Sequence, residues 1–136
     1  MVRNLLIVTL AVAAWVGGCV VISSDEEPSR SVVVEPDDAT IREIDAVGRL
    51  AFDHDRKSGY ERIARRQGLG GEAQVYLVKA VFRHLSFENA KVDVLLTLVR
   101  NPSFTSAAET ELLDRLDRLA FESDKRRILD AVSARK

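Results

Sequence analysis

A single cysteine, Cys19, stands in the chain of 136 residues. With no second thiol an intramolecular disulfide is impossible, and whatever folds is held by its core alone. There are two histidines, His54 and His84, which leaves hydrolase triads and zinc-thiolate sites little to work with. Charge of one sign is also lacking, with 20 basic residues against 21 acidic ones. Residues 41–136 carry 18 bases and 15 acids, an excess too mild for the basic stripe of a nucleic-acid-binding domain, so no nucleic-acid partner is expected. No window shows sustained apolar-polar alternation, which argues against a half-buried sheet and for an all-α domain.

The N-terminus reads as an export address. Arg3 supplies a positive n-region, Leu5 to Val16 an apolar h-region, and Val16-Gly17-Gly18-Cys19 closes it with small residues before the cysteine, the pattern of a secretory signal. The four residues Val16 to Cys19 resemble the lipobox of bacterial lipoproteins. That resemblance implies a signal peptide over 1–18, cleavage before Cys19, and diacylglycerol and acyl chains (a palmitate-type anchor) on Cys19. It also implies the cell envelope as the address, with Val20 in the sorting position favouring the outer membrane if the cell has one. Leu5 to Ile22, 18 uncharged residues, is at the lower limit of a bilayer span, so an uncleaved signal anchor is the other reading. Either way the remainder lies on the exported side.

Residues 19–39 read as the lipidated cysteine and an acidic linker. From 20 to 40 six acids face Arg30 alone, a net of −5, and Ser23-Ser24-Asp25-Glu26-Glu27-Pro28-Ser29 is polar and turn-rich. A coil of about 21 residues spans roughly 25 Å root-mean-square.

Residues 40–136 read as a helical repeat domain of five to six short amphipathic helices in about three helix pairs. Thr40–Leu50 carries Ile41, Ile44 and Val47 on one face after the acidic pair Asp37-Asp38. Asp53–Gln67 is ended by Gly68, and Glu72–His84 carries Val75, Val78, Val81 and Phe82. Glu88–Arg100 is the most apolar, with Val92, Leu95, Leu96 and Val99 as its stripe, and Asn101-Pro102 stops it. Ser106-x-x-Glu109 reads as a capping box opening a fifth helix with Leu112, Leu113, Leu116 and Leu119. Ser123–Ser133 is the sixth, with Ile128, Leu129 and Val132 inward.

Three related corners tie these helices together: Leu50-Ala51-Phe52-Asp53, Leu85-Ser86-Phe87-Glu88 and Leu119-Ala120-Phe121-Glu122. Their phenylalanines are 35 and then 34 residues apart, the spacing of a helix-pair repeat. Each ring is expected to pack both helices of its pair. Each following acid falls at a helix N-terminus, where the macrodipole favours it by about 0.3–1 kcal/mol. Asn89 and Ser123, next in line, are N-cap residue types.

Over residues 49–133 the chain resembles a family of small helical domains of unknown function, found in secreted and lipid-anchored proteins, with repeated Phe-x-x-Asp-Lys/Arg corners. Phe52-Asp53-His54-Asp55-Arg56, Phe121-Glu122-Ser123-Asp124-Lys125 and the link Asn101-Pro102-Ser103-Phe104 carry the likeness, while Ala90 departs from the Asp of the other two corners. The resemblance implies a fold and an exported setting and carries no catalytic residue over. The period also resembles that of tetratricopeptide repeats, whose Trp, Leu-Gly and Tyr landmarks are missing.

The chemistry-bearing residues are few. His54, His84, Asp53, Asp55 and Glu88 converge if the second and third helices are antiparallel, offering imidazole and carboxylate donors for a metal-binding protein or metal-dependent enzyme. The repeat argues against this, because His84 aligns with Arg118 and His54 with Asn89 and Ser123, positions that take any polar residue. Arg62, Arg65 and Arg66 share one helix face and are candidates for contact with anionic headgroups or an acidic partner. Lys125, Arg126 and Arg127 form a shorter cluster. No cofactor is implied besides the lipid. The leading expectation is a non-enzymatic, membrane-anchored module that binds a protein or envelope partner through its repeat surface, and the metal reading is the alternative.

Overall fold

A computed structural model describes residues 36–136. The leader, Cys19 and the linker up to residue 35 lie outside the described residues. Among those described, every regular element is helical: α1 (Pro36–Gly48), α2 (Asp53–Ala64), α3 (Gly71–His84), α4 (Glu88–Val99), α5 (Ser106–Asp114), a 3₁₀ turn (Leu116–Arg118) and α6 (Glu122–Ser133). No described helix is long and apolar enough to cross a membrane.

Each helix packs chiefly on the helix two places along the chain, α1 on α3 on α5 in one layer and α2 on α4 on α6 in the other. Taken in chain order the helices divide into repeats α1/α2, α3/α4 and α5/α6, α1 packing on α2 and α3 on α4, and the repeats stack as in a solenoid. The amino-acid pattern dictates this order. α4 has neighbours on both sides in its layer, and Val92, Val94, Leu95, Leu96, Leu98 and Val99 are all buried around it. α6 has a neighbour on one side only and buries Ile128 and Val132, while Leu129, expected inward, is 42% exposed. The remaining faces of α6 are mainly polar and exposed.

The helix limits differ from the expected ones in instructive ways. α1 begins at Pro36, a turn before Thr40, so Asp37 and Asp38 belong to its first turn and the domain begins before residue 40. Proline suits a first helical position because its missing N–H would have no intrahelical partner there. α2 ends at Ala64, earlier than Gln67, and Gly68 sits in the loop beyond with φ 70°. The cap of α5 is Thr105, whose hydroxyl accepts the N–H of Ala108, so Ser106 is its first residue and not its cap. The leucine run expected to continue α5 instead breaks after Asp114 into the 3₁₀ turn, leaving Leu113 39% exposed.

Buried polar side chains hold the loops between pairs. Gln74, fully buried, donates from Nε2 to the carbonyls of Leu69 (2.6 Å) and Ser103 (2.7 Å) and accepts the Thr105 N–H at 2.9 Å. It thereby joins the α2–α3 loop to the α4–α5 loop. Asn101, 4% exposed, donates from Nδ2 to the carbonyls of Ala64 and Arg66 at the C-terminal end of α2, at 2.7 and 2.8 Å. One layer on, Arg135 Nη1 donates to the carbonyls of Val99 and Asn101. Val99 and Asn101 stand 35 residues after Ala64 and Arg66, so one clamp is used twice, an amide first and a guanidinium second. Each satisfies helix-end carbonyls that have no intrahelical partner.

Candidate functional site

The corners place a row of side chains along one edge of the stack. Phe52, Phe87 and Phe121 are the N-cap residues of α2, α4 and α6, all with extended backbone and none with a side-chain cap. Asn89 and Ser123, expected as caps, lie inside the first turns. The expectation that each ring packs both helices of its pair is also overturned, since the rings are 71%, 65% and 58% exposed. The leucine two residues earlier enters the core instead at two corners: Leu85 and Leu119 are buried, whereas Leu50, in the first corner, is half exposed. Helices of one layer stack about 8–10 Å apart, so the rings recur along the edge at about that interval.

The acids after the rings do more than favour their own helix ends. The Asp53 carboxylate accepts the backbone N–H groups of Ser86 (3.0 Å) and Phe87 (3.1 Å) in the next corner. Glu88 in turn accepts the N–H of Ala120 in the third corner. Each acid thus fixes the backbone that presents the following ring. Glu122 has no following corner; its side chain is 80% exposed and pairs with Lys125 at 2.6 Å, which lowers its pKa. Arg56 braces the first interval, donating to the carbonyls of Leu50 (2.7 Å) and His84 (3.0 Å).

This arrangement accounts for the residues considered as metal ligands. Asp53 and Glu88 are engaged by backbone N–H groups, Asp55 is exposed, and His54 and Asp53 line one notch of about 260 Å³ with Lys57, Phe87 and Asn89. His84 faces elsewhere, for a Cβ on Gly48 would lie 3.1 Å from its ring and 3.0 Å from the Tyr60 hydroxyl. Among the described residues no three His, Cys, Asp or Glu side chains form a group able to hold a metal ion. Burial, aided by Arg83 and Arg56, lowers the His84 pKa, and burial pushes the Tyr60 phenol up to about 12. The Tyr60 hydroxyl is the buried side-chain polar atom, among the described residues, without a hydrogen-bond partner. Nearby, the hydrogen bond from the Tyr76 hydroxyl to Asp45 at 2.6 Å raises the Tyr76 pKa. On the other layer, the ion pair with Asp93 at 2.7 Å raises the pKa of Lys57.

Of the three exposed arginines singled out, only Arg62 lies within α2. Arg66 lies beyond the helix and pairs with Glu43 of α1 at 2.8 Å, Arg65 is the C-cap and reaches Glu61 at 3.4 Å, and Arg62 is exposed in the last turn. The exposed direction of the three rings escaped the sequence reading, as did Gln74 and Arg135 as clamps. The period carried a signal for the rings: three identical large apolar residues, each directly before an acid at a helix start, occupy N-cap positions, and an N-cap lies outside the packed stripe. Compared with known protein families, curated proteins and solved structures, the chain matches none.

Proposed function

We propose that this chain is a non-enzymatic, membrane-anchored module that grips a protein partner of the cell envelope with the ring row Phe52, Phe87 and Phe121. The single observation behind this reading is the exposure of three large rings at equivalent positions of three repeats. Burying a phenylalanine side chain stabilises by about 1.5–3 kcal/mol, so leaving three in water at matched positions favours a partner that covers them. The acid-to-backbone bonds support the same reading, because they hold the row in register before any partner arrives and reduce the ordering cost of binding. The leader fits this role: Cys19, diacylated and acylated, anchors the module on the exported side, in the outer membrane where there is one, and the acidic linker gives it reach.

The test is crosslinking in native membranes, comparing wild type with the triple variant Phe52→Ser, Phe87→Ser, Phe121→Ser and with Cys19→Ala. The triple variant is expected to stay membrane-bound and folded while losing its crosslinked partner, and Cys19→Ala to leave the membrane fraction. An unchanged partner in the triple variant removes the ring row from the function. The metal reading predicts a thermal melt that moves with zinc or a chelator; a melt that stays put is expected here.

A further inference from the structure

At the opposite ends of the even-numbered helices lies a second surface, independent of the ring row. Arg65 and Arg100 are the C-cap residues of α2 and α4, and Arg135 follows the C-cap of α6; the three are spaced 35 residues apart in each step. Two adjoining grooves run between these ends, one of about 530 Å³ between α4 and α6 and one of about 360 Å³ between α2 and α4, and Arg100 lines both. The floor of the larger groove is apolar, formed by Leu96, Val99 and Ala131, and its rim carries Arg100, Arg127 and Arg135 against the lone acid Asp130. These cations are not equally committed. Arg135 is held by carbonyls and by the Phe104 ring, 5.2 Å from its guanidinium carbon, and Arg127 pairs with Asp124 at 3.3 Å. The exposed Arg100 guanidinium makes no hydrogen bond or ion pair among the described residues.

We propose that this groove binds an acidic peptide segment of a protein partner, its carboxylates on Arg100 and Arg127 and its apolar side chains on the floor. Charge complementarity selects the occupant. Arg100, Arg127 and Arg135 line the groove with Asp130, Asp124 pairs with Arg127, and among the described residues Arg100 is left as the uncommitted cation of the groove. Its planar guanidinium fork matches a carboxylate with two parallel hydrogen bonds. The apolar floor favours a peptide carrying both kinds of side chain over a bare anion. A groove continuing past Arg100 into the next interval, toward Arg65, favours an extended chain.

The experiment uses the full chain in detergent and a fluorescent peptide of alternating glutamate and leucine, read by anisotropy, with the glutamine-leucine peptide as its neutral counterpart. The glutamate peptide is expected to bind, the glutamine peptide to bind at least about tenfold more weakly. Arg100→Glu and Arg127→Gln should each weaken the glutamate peptide by a similar factor or more, with unchanged melting curves. Arg118→Glu, the same charge change at the ring end of the stack, should leave binding as it was. Equal binding of the two peptides overturns the proposal, as does equal weakening by Arg118→Glu and Arg100→Glu. Arg100-dependent binding of phosphatidylglycerol vesicles without Arg100-dependent peptide binding overturns it in favour of a lipid. A chain dimer that Arg100→Glu dissociates overturns it in favour of a second copy.

Discussion

The carboxylate of Asp53 accepts the backbone N–H of Phe87 at 3.1 Å across 34 residues of sequence. This bond carries the register of one repeat into the next, and it sets the position of a ring that the core does not hold. Structure and presentation are coupled at that one contact, and the first prediction concerns it.

Asp53→Ala leaves two backbone N–H groups, those of Ser86 and Phe87, without their acceptor. The Asp53 side chain is 10% exposed, but Ser86 and Phe87 stand at an exposed corner, so water takes over part of the acceptor role and the expected loss is about 0.5–1.5 kcal/mol. A thermal melt should fall by about 4–8 °C per kcal/mol for a domain of this size. Glu122→Ala, at the end of the row with no following corner, loses only its own helix-end contribution and should lower the melt less than Asp53→Ala does.

Asn101 is buried and makes three hydrogen bonds, two donated to the carbonyls of Ala64 and Arg66 and one accepted from the N–H of Ser103. Asn101→Ala should destabilise by about 2–3 kcal/mol in urea unfolding. Asn101→Asp restores the acceptor but places no donor on the two carbonyls, so it should not recover the loss.

α1 and α2 approach closely at Gly59, since a Cβ there would lie 2.7 Å from a Val47 methyl. Alanine gains about 1 kcal/mol in helix propensity over glycine, while overpacking costs about 1–3 kcal/mol. The clash wins, so Gly59→Ala should lower stability in urea unfolding. Gly59→Ala combined with Val47→Ala should recover part of that loss relative to Val47→Ala alone.

The pH dependence follows from His84 and Tyr60. The folded pKa of His84 lies below 6.5, so on acidification the unfolded chain binds its proton first; stability is full above that value and declines as pH falls below it. Burial pushes the Tyr60 phenol up to about 12 in the fold against 10.0 for an ordinary tyrosine, so between these values the unfolded chain alone has lost the proton and stability falls as pH rises. His84→Asn should flatten the acid-side decline in melts between pH about 7 and 5. Tyr60→Phe should remove its share of the alkaline decline, leaving the contributions of Tyr76 and Lys57, and, by deleting a hydroxyl without a partner, raise stability at neutral pH by about 1 kcal/mol.

Much of the fold was legible because period and punctuation agree. Three Phe-acid corners at 35 and 34 residues counted the pairs, and Gly68 and Asn101-Pro102 stood where helices stop. Two things were not legible, for a shared reason. A buried amide such as Gln74 and an exposed ring such as Phe87 both run against the rule that apolar side chains go inward, and only the three-dimensional arrangement shows where each lies. Leu113 and Leu129 misled in the same way, their helical spacing being right for a face that the end of the stack leaves uncovered. The arginine groove joins residues of α2, α4 and α6, and no local pattern announces such a surface. The leader and Cys19 rest on motif resemblance, and fractionation of Cys19→Ala is their check.

The most direct measurement replaces Phe52, Phe87 or Phe121, one at a time, with a photoreactive phenylalanine analogue in the anchored chain and records crosslinks in native membranes. Thr110, exposed on α5, serves as the comparison position. The predicted result is one common partner captured from all three ring positions and none from Thr110. Capture at Thr110 equal to that at Phe87, or no capture from any ring position, would contradict the claim that the ring row is the binding surface.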